Sequence, residues 1–147
     1  MTGTKRASAL IVLLAISLDS FAAAAADSFY LEVSPKSPGD LARLMDALEE
    51  SFDEALVRRE PVVIVLHGEE AGIFTRQSYA ENRTLVDRAA LLDAYNLIDM
   101  RMCETWMSNN NIEKSDLLPF IDTVPYAPEE IRKLRTEGYL QHPSVEI

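Results

Sequence analysis

Residues Val62–Leu66 read VVIVL: five consecutive apolar residues, four of them β-branched, set between Pro61 and His67-Gly68. A strand that is apolar at every position has no face to offer water. It belongs in the middle of a parallel sheet covered on both sides. The rest of the chain must therefore supply helices for two faces. With 147 residues and 48% apolar composition, the chain is one domain of ordinary size and too apolar for a disordered one.

The flanking sequence meets that demand by alternation. Phe29–Val33 (FYLEV) carries β-formers and predicts a first strand. Ser37, Pro38, Gly39 and Asp40 open a helix, and Leu41, Leu44, Met45, Leu48, Phe52, Ala55 and Leu56 give it one apolar stripe to about Arg59. Residues 68–75 read as a loop, with Ile73 and Phe74 lining a pocket or meeting another subunit. Ser78 and Glu81 have capping-box spacing for a second helix to about Asn96, with Thr75 as a competing start. Asn82-Arg83-Thr84 matches a glycosylation pattern but falls inside that helix, and reads as chance. Ile98 to Met102 predicts a third strand, less apolar and nearer an edge. Cys103 follows it, then a short helical turn that Asn109, Asn110 and Asn111 end. Ser115 and Asp116 start a turn, and Phe120 to Val124 predicts a fourth strand. Ala127, Pro128, Glu129 and Glu130 open a last helix, and Gly138 stands just past its end. Tyr139-Leu140 adds a short fifth strand, and the tail from Gln141, including His142, is expected to fray. The fold class is α/β: a three-layer α/β/α sandwich around a mostly parallel sheet of about five strands.

Residues 1–26 stand apart. Lys5 and Arg6 precede an uncharged apolar run over residues 7–18, and small residues follow Asp19. This is the three-part pattern of a secretory signal peptide, with cleavage after Ala24 or Ala26 and the domain at 27–147. The run is far shorter than the ~20 residues a bilayer span needs. Cleavage removes two bases and one acid, and takes the net charge from -10 to -11. An acidic surface of this kind repels phosphate backbones and anionic membranes, so nucleic acid and membrane are not expected partners.

In an open parallel sheet, ligands gather at the carboxyl ends of the strands. Two groups fall there: His67-Gly68-Glu69-Glu70 after the second strand, and Cys103-Glu104-Thr105-Trp106 after the third. Cys103 is the chain's single cysteine, so it has no partner within the chain. It is buried packing, a link between chains, or a reactive thiol. Its place before a helical turn favours a thiolate, while Glu104 opposes one. His67 is a candidate activator of that thiol, or a histidine bonded to backbone at a strand end. His67, Glu69 and Glu70 match no closed metal-site spacing, so no metal or other cofactor is expected. Gly68, Glu104, Thr105 and Trp106 complete the candidate binding residues.

These residues resemble the DsrE/DsrF-like family of small sulfur-relay-type proteins. The resemblance runs from Val62 to Tyr139. It is carried by the strand ending in histidine-glycine and by the cysteine after the third strand, with the stretch VPYAP at residues 124–128 similar to exported members. It implies a five-stranded, mostly parallel α/β/α sandwich whose subunits assemble as trimers or hexamers. In relay members a cysteine carries a persulfide and passes the sulfur to a partner protein. Cys103 is the position here that matches that role, and His67 resembles a family feature.

Two readings follow. One is a periplasmic sulfur-handling protein, with a persulfide on Cys103 and a donor or acceptor protein as partner. The other is a non-catalytic oligomeric binding module that uses the C-terminal edge of the sheet, with Cys103 as packing. A cysteine hydrolase is a minor third, since only His67 could serve as its base.

Overall fold

The computed structural model describes residues 28–33, 38–53 and 60–142. The segment read as a signal peptide lies outside the described residues, as do Ser37 and the expected helical turn up to Arg59. Among the described residues no helix is long and apolar enough to cross a membrane.

Five strands form one sheet: β1 (Phe29–Val33), β2 (Val62–Leu66), β3 (Ile98–Cys103), β4 (Ile121–Val124) and β5 (Leu140–Gln141). Their spatial order is β4-β3-β2-β1-β5, and every neighbouring pair is parallel. Four helices pack around it: α1 (Pro38–Asp53), α2 (Tyr79–Ala94), α3 (Glu104–Asn109) and α4 (Ala127–Thr136). β2 holds the centre with all five residues buried. Its side chains alternate between two cores. Ile64 and Leu66 join Leu31, Met100 and Met102 beneath the apolar stripes of α1 and α2. Val63 and Val65 join Tyr30 and Cys103 beneath Ala127, Ile131 and Leu134 of α4.

The topology explains this division. β1 to β4 step across the sheet in one direction, and a right-handed crossover keeps α1 and α2 on one face. The step from β4 to β5 runs back past three strands, so the same handedness puts α4 on the other face. Charge pairs pin the layers at their margins. Arg88 of α2 bonds Glu49 (2.6 Å) and Asp46 (2.7 Å) of α1. Arg135 of α4 donates to the buried Tyr30 hydroxyl (2.6 Å) on β1. Arg101 gives β3 its polar character: it sits between Asp99 (2.5 Å) and Glu130 of α4.

Three helices end alike. Asn96 (φ 57°), Asn111 (φ 55°) and Gly138 (φ 93°) are left-handed. After each, the next residue's N–H reaches back five positions: Leu97 to Leu92, Ile112 to Met107, and Tyr139 to Leu134, at 2.9–3.0 Å. This is the Schellman closure, in which an αL residue lets the chain satisfy the last helical carbonyls and turn away.

Three expectations need correction. The stretch after Gly68 is a 3-10 helix, Glu69–Phe74, and Ile73 and Phe74 are core residues, with Phe74 fully buried. They fold back under the sheet end and pack into the first core beside Met107 and Leu117. The Ser78 capping box does not form. Ser78 is itself helical, and Thr75 takes the capping role, its Oγ1 accepting the Ser78 N–H at 3.3 Å. The tail does not fray at Gln141, which pairs with Tyr30. His142 is buried, donates its N–H to the Tyr30 carbonyl (2.9 Å), and meets the Phe29 ring edge-on.

The central strand should dominate stability. Ile64→Ala is expected to lose ~2–5 kcal/mol, whereas Leu140→Ala at the half-exposed edge should change stability by no more than about 0.5 kcal/mol. Denaturant unfolding of the two variants measures both, and comparable losses would contradict a core centred on β2.

Candidate functional site at the carboxyl edge of the sheet

β2 and β3 are neighbours in register, with Leu66 opposite Met102, so the segments that follow them leave the sheet side by side. Cys103 ends β3 and stands at the N-cap position of α3. Its side chain lies in the second core and is only 3% exposed. Sγ accepts the Ala127 N–H at 3.4 Å. That N–H belongs to the first residue of α4, where a helix has no internal acceptor for it. The sulfur thus closes the start of α4.

The neighbours of Cys103 are also engaged. Glu104 accepts from Thr123 (2.7 Å) and pairs with Lys114 (2.6 Å). The Lys114 ammonium, then the Thr123 hydroxyl, hold its carboxyl below the usual range. The negative charge beside Cys103 is therefore answered by a lysine. Thr105 Oγ1 donates to the Pro125 carbonyl at 3.0 Å and ties α3 to the end of β4.

His67 does not engage Cys103. Its Nε2 lies 3.3 Å from Glu32 Oε1, on the β1 side of β2, without hydrogen-bond alignment. The two candidates for nucleophile and activator have separate partners: His67 faces β1, and Cys103 faces α4.

Glu70 was not singled out by sequence reasoning as a buried group, yet it organises the strand end. Its Oε1 accepts the N–H groups of Gly68 (2.8 Å) and His67 (3.1 Å), while Oε2 is buried without a partner. Desolvation raises its carboxyl above the usual range, and the two N–H groups pull it partway back. A Cβ on Gly68 would lie 2.3 Å from Glu70 Oε2, so any other residue there would have to displace that carboxylate. The glycine of the histidine-glycine pair thus makes room for the Glu70 carboxylate, while His67 contributes only its backbone N–H. Among the described residues no three His, Cys, Asp or Glu side chains are placed to hold a metal ion.

A cleft of about 540 Å³ opens beside these groups. One wall is the segment from Glu69 to Ser78, with Gly72, Thr75 and Gln77. The other is Trp106, Asn110, Asn111, Ile112 and Asp116. Thr75 forms an antiparallel bridge with Leu117, and Arg76 bonds backward through its N–H to the Asp116 carbonyl (2.7 Å) and through Nε to the Ser115 carbonyl (3.0 Å). These bonds fix the walls relative to each other. Of the expected binding residues, Trp106 lines this cleft, while Gly68, Glu104 and Thr105 hold structure around it. The cleft's polar residues lie up to 47 positions apart, from Glu69 to Asp116. The only signal that could have found them was the adjacency of the β2 and β3 ends.

Glu70 gives a test of this arrangement. Its folded carboxyl binds a proton more tightly than the unfolded one, so its contribution to stability is full in acid and fades as pH rises above the ordinary carboxyl range. Thermal unfolding should show Glu70→Gln gaining on the wild type between about pH 4 and pH 7. A difference constant over that range would contradict a buried, titrating Glu70. Gly68→Ala should cost ~1–3 kcal/mol, and the added cost should shrink in a Glu70→Ala background if the clash is with that carboxyl.

No family model matches this chain, and no curated protein matches it. Among solved structures, it is similar to a protein of unknown function, MTH1491, from Methanobacterium thermoautotrophicum. The TM-score is 0.67 and the identity 14%, over 80% of this chain and 98% of that one. At that identity the likeness is one of fold, and the fold is the parallel α/β sandwich described above.

Proposed function

We propose that this chain is an exported, non-catalytic binding protein that holds a small ligand in the cleft at the carboxyl edge of its sheet. One observation carries this reading. The tryptophan after β3 stands at a polar cleft, while the cysteine beside it is buried and bonded to α4. The cleft volume falls within the ~300–1,000 Å³ of small-molecule sites. Export rests on the tripartite pattern of residues 1–26. Subunit assembly, which the family resemblance implies, has an exposed apolar pair to use at Leu91 in the last turn of α2 and Tyr95 just past its end.

The sulfur-handling reading has one feature in its favour, the helix-start N–H aimed at Cys103 Sγ. Against it stand the burial of that sulfur and the separate engagement of His67. A sulfur that caps a helix start has a structural reason to be there.

Two measurements separate the readings. Native protein treated with iodoacetamide near neutral pH should label Cys103 slowly, and rapidly once denatured. Rapid native labelling, with a one-sulfur mass gain on exposure to polysulfide, would favour the persulfide carrier. A fragment screen by amide chemical shifts should move the cleft residues, and Gly72→Leu should abolish those shifts with the fold intact. Fragments that shift nothing in the cleft would overturn the binding reading. Cys103→Ala should leave binding unchanged but lose ~1–3 kcal/mol, because the Ala127 N–H is left without an acceptor.

A further inference from the structure

Resting on the cleft reading, we infer that its ligand class is a neutral polyhydroxylated ring, a saccharide of one or two rings stacked on Trp106. The charge of the walls sets the first limit. Glu69 and Asp116 are carboxylates, and among the described residues no lysine, arginine or histidine lines the cleft. The bases on the flanking segments are engaged: Arg76 Nε donates to the Ser115 carbonyl, and Lys114 pairs with Glu104. With a net charge of -10 on the whole chain as well, a phosphate, carboxylate or inorganic sulfur anion would meet only repulsion.

Shape sets the second limit. A cation site built on aromatic rings encloses the charge with several of them. This cleft has a single ring wall. A Cβ at Gly72 would stand 3.8 Å from the indole edge, so a residue with a longer side chain at 72 would crowd the ring and the cleft beside it. One aromatic face suits the C–H face of a sugar ring, with hydroxyls directed outward to polar walls.

Those walls carry the matching chemistry. Gln77 and Asn111 are exposed, each with a donor and an acceptor side by side, as adjacent hydroxyls require. The Asn110 amide donates to the Trp106 carbonyl (2.8 Å), which leaves its oxygen as acceptor. Asp116 Oδ2 takes the Glu113 N–H (2.9 Å), which leaves its other oxygen for a ligand hydroxyl. The Thr75 hydroxyl proton goes to the Gly72 carbonyl (2.9 Å), so Ser78 Oγ, 3.2 Å from Thr75 Oγ1, offers the cleft an acceptor. The Schellman turn fixes Asn111, and the Thr75–Leu117 bridge fixes the opposite wall, so little ordering is left for the ligand to impose.

Trp106 is the chain's single tryptophan, so intrinsic emission reports on this cleft alone. The full chain, processed as it is produced, is titrated with glucose, galactose, N-acetylglucosamine, maltose, cellobiose and chitobiose, and separately with choline, thiosulfate and phosphate. At least one sugar should change the emission saturably and equally at low and high salt, with the same Kd by calorimetry. Asn111→Gly keeps the left-handed backbone while deleting the amide, and should weaken that Kd about five- to tenfold. Saturation by choline or by an anion, without any sugar, would overturn the ligand class and leave the cleft reading standing. Silence from all of them overturns the ligand class. If fragments still shift the cleft in wild type but not in Gly72→Leu, the binding reading survives; if they do not, both fall.

Discussion

Burial of β2 on both faces is the constraint from which the other features follow. Five apolar side chains point alternately up and down, and each set needs a covering layer. The first core is roofed by the stripes of α1 and α2, and the second by three residues of α4. A ten-residue helix is a small cover for a five-stranded sheet. The consequence appears on β3, where the face beyond α4 carries Asp99 and Arg101 instead of apolar residues. Arg101 bridges Asp99 and Glu130, so the sheet's exposed flank is polar and the helix is anchored at its margin.

The same economy of cover shapes the carboxyl edge. Where the sheet stops, its apolar layers must be sealed by whatever follows each strand. After β2 the seal is the 3-10 helix, which turns Ala71, Ile73 and Phe74 inward and carries Glu70 in with them. After β3 it is Cys103 and Met107, one into each core, with Trp106 packed between the cores and the cleft. Inward-turned residues build the floor, and the residues between them, Glu69, Gly72 and Asn110, are left to face the cleft. Site and seal are thus alternate residues of the same two segments.

This division accounts for what the sequence disclosed. Periodicity exposed the strands and helices, because burial of one face leaves a pattern of two or of three and four. Gly138 announced its turn, since glycine at that position is common. Asn96 and Asn111 do the same work less visibly. What stayed hidden was direction. Glu70 looks like any surface acid in HGEE, and only the 3-10 geometry sends it inward while Glu69 faces out. Cys103 looked equally like nucleophile or packing, because a residue after a strand is placed by the element it meets next. Here that element is α4, 24 positions later. The resemblance to sulfur-relay proteins rests partly on the histidine-glycine pair and the cysteine, and Gly68 and Cys103 each have a local structural role in this chain.

That last point bears on how such motifs are weighed. Gly68 makes room for the Glu70 carboxyl, and Cys103 supplies an acceptor to a helix start. A motif that structure already requires carries less weight as a sign of chemistry. Trp106 is the opposite case. Half-buried, it packs against both cores and also lines a cleft whose other walls are largely polar. Packing alone would be served as well by a smaller apolar residue at that point. A large ring kept at the edge of a cleft whose walls carry amides and carboxylates is the feature on which the binding proposal rests.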